Sequence, residues 1–81
     1  MPWGLAITIF LRRHSMEVHT IEKAAALLLE RWPAAYQHSA ACVDAHKACL
    51  AALEGVGTAE NARLAFLKAA EEAGILAMAG L

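Results

Sequence analysis

The chain has 81 residues, seven basic and eight acidic, with a formal charge of −1 and a pI near 6.4. That balance supplies no strong positive field, which argues against general affinity for nucleic acid or an anionic membrane. No apolar run approaches the roughly 20 residues of a membrane span, and LAITIFL precedes Arg12 and Arg13, the reverse of a secretory signal; the expectation is a soluble, cytoplasmic protein.

Leu5 to Leu11 (LAITIFL) follows Gly4 and is rich in β-branched residues, which favours a strand. Leu5, Ile7, Ile9 and Leu11 share one face, while Ala6 and Phe10 keep the other partly apolar. RRHS then makes a polar tip, and in MEVHT the apolar Met16 and Val18 alternate with Glu17 and His19. A β-hairpin is the simplest reading. Its tip has no Asn-Gly or Asp-Gly pair, so the turn type stays open.

Thr20 is placed to cap a helix from Ile21 to Trp32, along which Ile21, Ala24, Ala25, Leu28 and Trp32 recur at helical spacing. Pro33 ends it. A second helix is expected from about Ala35 to Glu54, closed by Gly55. Thr58 caps a third, from about Ala59 to Ala73, which carries Ala62, Phe66, Ala69 and Ala73 on one side and stops at Gly74. The tail ILAMA reads either as a third strand beside the hairpin or as a disordered end.

The order of a short hairpin, IEKAAALLLERWP, KACLAALEG and NARLAFLKAAEEAGI resembles the domain of unknown function 982, a family of small proteins mostly from rhizobia and related bacteria. The resemblance runs from about Ile7 to Ile75. Its most specific pieces are Arg31-Trp32-Pro33, the segment from Cys49 to Gly55, and Ala62-Arg63 with Phe66 and the ending Glu72-Ala73-Gly74-Ile75. It implies a compact α+β domain. No activity, substrate or catalytic residue comes with it.

HSAACVDAHKAC, from His38 to Cys49, raises the one pattern with overt chemistry. On a helix, His38, Cys42, His46 and Cys49 fall within an arc of roughly 80°. Val43, Leu50 and Leu53 lie on the same side, so His46 sits near the middle of the largest apolar stripe of this helix, and Asp44, Lys47 and Glu54 lie opposite. His38 and Cys49 would be roughly 16 Å apart along the axis, too far to bind one metal whose ligands lie about 2.0–2.3 Å away. The two cysteines would be roughly 10 Å apart, too far for a disulfide, and no CxxC is present. Buried thiols and a neutral, hydrogen-bonded His46 are the expectation. The alternative is a metal- or thiol-dependent protein completed by His14, His19 or another chain.

Trp32 reads as a core-closing residue whose indole N–H finds a carbonyl, against a stacking platform for a ligand. Arg63 borders the apolar side of the third helix. Its stem is expected to cover alanine surface while its head meets Glu60 or another acid, against binding an external anion. Arg12, Arg13 and His14 form a basic tip, read as a solvated turn against a nucleic-acid contact. No catalytic residues emerge: neither His14-Ser15 nor His38-Ser39 makes a triad, and Gly55-Val56-Gly57 reads as a turn between helices.

Twenty alanines inflate the 59% hydrophobic content, so few large side chains are left to fill a core. The expected fold is one α+β domain over 1–81, an N-terminal β-hairpin followed by three helices and the strand or disordered end above. Leu28, Trp32, Leu50, Leu53 and Phe66 are expected to pack on Ile7, Ile9 and Val18, with the first strand leaving an open edge. So thin a core invites oligomerisation. The functional expectation is a small non-catalytic interaction module without a cofactor, and the sequence identifies no small-molecule ligand. Its partner would be a protein or a second copy, met through the hairpin edge or an alanine-rich helix face. A nucleic-acid-associated regulator working through the hairpin tip is the alternative from another class.

Overall fold

A computed structural model describes residues 1–79 and contains a three-stranded antiparallel sheet with three helices on one face, an α+β fold. Strand β1 (Pro2–Leu11) turns back into β2 (His14–Thr20), and β3 (Leu76–Ala79) adds to the other side of β1. The strand order β2-β1-β3 makes β1 central, with β3 pairing along it from Ile7 to Ile9. The expected open edge of β1 is therefore covered over that stretch, and β2 and β3 are the outer strands of the sheet. Between Ile7 and Leu11 the register pairs Ile7 with Val18, Ile9 with Met16 and Leu11 with His14. Alternation then sends Ile7, Ile9, Leu11 and Val18 into the core, while Thr8, Phe10, Glu17 and Ser15 face away from the helices.

Strand β1 starts earlier than its sequence pattern suggests. Its register with β2 shifts between Pro2 and Ile7, and the bulged segment turns Trp3 inward. Gly4 carries φ +93°, a left-handed conformation that a side chain would strain. The Trp3 indole N–H donates to the Val18 carbonyl at 3.0 Å, pinning the bulge to β2. At the hairpin tip, Arg12 and Arg13 take φ values of 50° and 69°. This is the pattern of a type I′ turn, built without the Asn or Gly that usually accommodates it.

Helix α1 (Ile21–Glu30) begins where Thr20 Oγ1 accepts from the Lys23 amide, and it stops at Arg31, before Trp32. A single 3₁₀ turn (Ala34–Tyr36) intervenes before helix α2 (Ala40–Leu53). The expected start of α2 near Ala35 was thus too early. Pro33 breaks the chain direction, and Ser39, whose Oγ accepts from the Cys42 amide, is the real cap. Helix α3 (Ala59–Ala73) is capped by Thr58 and closed by Gly74 at φ +72°, with Ile75 donating to the Ala70 carbonyl in a Schellman closure. Ile75 then accepts from the Phe10 amide, so the helix end feeds directly into β3.

Phe66 of α3 is fully buried between two indoles, 5.2 Å from Trp3 and 5.3 Å from Trp32 by ring centroids. Helices α1 and α3 pack on the sheet, and α2 packs chiefly on those two helices as the outermost element. Small side chains let α2 and α3 approach closely: Cys42, Ala45, Cys49 and Ala52 face inward, as do Ala62, Ala69 and Ala70. Leu50 and Leu53 are consequently outside, 46% and 39% exposed, contrary to the expected core. No helix among the described residues is long and apolar enough to cross a membrane.

Candidate functional site

Helix α2 presents two unlike faces. The inner one carries the alanines and cysteines, and the outer one carries Val43, Leu50 and Leu53, each at least 39% exposed, with His46 half-buried among them. Positions 43, 46, 50 and 53 recur at alternating spacings of three and four, the pattern of a seam that meets another helix. Leu29 of α1, 65% exposed, flanks this stripe. Between the two helices lies an open groove of about 340 Å³ bordered by Leu28, Leu29, Cys42, Val43, His46 and Leu50. Lys47 and Glu54, expected opposite the stripe, instead stand exposed along one flank of it, seven residues apart, and Lys47 borders the groove.

His46 therefore lies at the rim of an open groove, not inside the core as its place on the stripe suggested. Among the described residues no hydrogen bond engages its ring. The helix is rotated so that its small residues, not its largest apolar ones, meet α3. Both cysteines are buried free thiols. Burial pushes the Cys49 thiol up to about 11; burial, with a smaller contribution from the Glu72 charge, raises that of Cys42. Neither is prepared as a thiolate nucleophile or ligand. Among the described residues no three His, Cys, Asp or Glu side chains gather as a potential metal set.

Trp32 is buried and packs edge-on against Phe66, as core closure requires. Its indole N–H, expected to find a carbonyl, has no hydrogen-bond partner among the described residues. Trp3 holds the bonded indole instead, and it was overlooked because it lies ahead of the β-branched run. Arg63 is half-buried, and its Nε donates to the Leu5 carbonyl at 2.8 Å. This bond ties α3 to the β1 bulge. Arg12 and His14 at the hairpin tip border a second hollow together with Arg31, from the end of α1. Sequence spacing could not bring those residues together, because their meeting depends on how α1 lies across the sheet.

No curated protein and no solved structure matches the chain. A family model described as Protein of unknown function (DUF982) matches residues 5–77, nearly every residue of both the core and the α2 stripe. With that span covered, the chain belongs to the DUF982 family.

Proposed function

We propose that this chain is a small, non-catalytic interaction module of the cytoplasm that pairs with a second copy of itself through the outer face of α2. The observation that carries the reading is the stripe of Val43, His46, Leu50 and Leu53 beside Leu29 on the outermost helix. Contiguous exposed apolar surface on a small protein marks an association site. Its charge pattern is self-complementary. In an antiparallel pair related by a two-fold axis, Lys47 of each copy lies against Glu54 of the other, so both ion pairs form at once. A parallel pair would set Lys47 against Lys47.

Size supports a weak dimer. The 14-residue helix is about 21 Å long, short for a standard interface of roughly 1,200–2,000 Å², and Leu29 with the adjoining groove supplies extra width. Dissociation constants on the order of micromolar are expected. The β2 edge is the less suitable surface, because Lys23 Nζ donates to the Glu17 carbonyl and places a charged group over that strand. Sedimentation velocity across micromolar concentrations tests the proposal. A concentration-dependent shift from monomer to dimer, abolished by Leu50→Glu with the fold intact, is the expected outcome. A wild-type chain that stays monomeric at several hundred micromolar, or dimers that survive Leu50→Glu, would refute it.

A further inference from the structure

At the C-terminal end of α1, two residues beyond Leu29, the molecule gathers positive charge. Arg12 from the hairpin tip and Arg31 from the end of α1 border one open hollow of about 370 Å³, together with Leu11, His14 and Met16. The same two arginines and Leu11 also border an adjoining hollow that reaches Trp32. Glu30 lies on that second hollow, and among the described residues no carboxylate borders the first. Among the described residues no hydrogen bond or ion pair engages the guanidinium of Arg12 or of Arg31.

Two fixed like charges across one hollow repel, and a solvated surface ordinarily separates them or places an acid between. Here Arg12 is also held at φ 50° and its neighbour Arg13 at 69°, in a turn that Asn-Gly would make with less strain. Trp32 lines the second hollow, and its indole N–H is buried beneath it with no hydrogen-bond partner among the described residues. Both guanidinium groups are exposed and hydrated in the free chain, and a ligand that brings acceptor oxygens can replace that water. Guanidinium forks match the oxygens of a phosphoryl group in bidentate fashion.

We infer that Arg12, His14 and Arg31 form a binding site for a small phosphate-bearing molecule, distinct from the α2 pairing face. Leu11 and Met16 give the hollow an apolar wall, and the phosphoryl oxygens bridge the hairpin tip to the end of α1. The net charge of −1 leaves no general attraction for polyanions, so recognition rests on this local pair.

Titration of the full chain with sodium pyrophosphate at low ionic strength, followed by amide and indole NMR shifts, tests the site. Saturable shifts at Leu11, Arg12, Arg31 and the Trp32 indole are expected. Arg12→Gln and Arg31→Gln should each weaken binding about tenfold or more, while Arg13→Gln changes it little. All three side chains are exposed, and unchanged amide spectra away from the hollow verify that each variant folds. Three results would overturn the inference: shifts that never saturate, equal losses for the Arg13 and Arg12 variants, or tighter binding of a short oligothymidylate through Arg12 and Arg13 without Arg31.

Discussion

The two tryptophans flank one phenylalanine, yet their polar ends are treated differently. Trp3 donates to the Val18 carbonyl, whereas the Trp32 N–H is buried without an acceptor. Replacing Trp3 by Phe deletes a made hydrogen bond and leaves a carbonyl short of its donor. Trp32→Phe removes an already unsatisfied group. The Trp3 substitution should therefore cost about 1–2 kcal/mol more than the Trp32 one in urea denaturation, although both lose similar ring area. The Cys49 thiol makes a second prediction. Its folded value, about 11, stands above the ordinary thiol value of 9.0, so the neutral form is favoured by folding. Its contribution is fully present below pH 9.0 and is lost as pH rises through about 11, on the order of 2 kcal/mol in all. Cys49→Ala should flatten the alkaline fall in stability relative to wild type, and an aromatic disulfide reagent should find neither thiol reactive before unfolding.

At the scale of elements, most of the architecture was legible because it is written in local chemistry. Thr20, Thr58, Pro33 and Gly74 mark helix ends by capping or breaking, and the alternation in LAITIFL marks a strand. The inward face of α2 was not legible in this way. Periodicity reports which residues share a side, and the largest apolar stripe ordinarily faces the core. In this chain close helix approach selects alanine and cysteine for the inside, which turns Leu50, Leu53 and His46 outward. The hollow between Arg12 and Arg31 was hidden for another reason, since it joins residues far apart in sequence. The hairpin tip offers a direct check on element-level strain. Arg13 sits at φ 69°, so Arg13→Gly should raise stability by about 1 kcal/mol. A thermal melt showing a loss instead would mean that the arginine side chain stabilises the turn by more than its backbone strain costs.

For the whole molecule, the order of layers decides what is left to do. The sheet takes α1 and α3, those helices take α2, and no described residue covers the outer face of α2. The alanines and cysteines between α2 and α3 permit this close stacking but bury little area per residue. Pairing through Leu50 and Leu53 would add buried apolar surface, and His46 is the polar residue in that seam. His46→Leu should tighten association severalfold by removing the cost of desolvating an imidazole at the interface, as read from the concentration midpoint of dimer formation.

Antiparallel pairing through α2 is most directly tested by a charge exchange at its flank. Lys47→Glu alone sets two acids against each other across the proposed two-fold axis, and Glu54→Lys alone sets two bases together. Each variant should self-associate more weakly than wild type by roughly tenfold, given exposed pairs of up to about 1 kcal/mol each. Mixed in equal amounts, the two variants restore opposite charges at both contacts, and sedimentation equilibrium should then show heterodimers at wild-type strength. Self-association of either variant at wild-type strength, or a mixture no tighter than its components, would contradict the account.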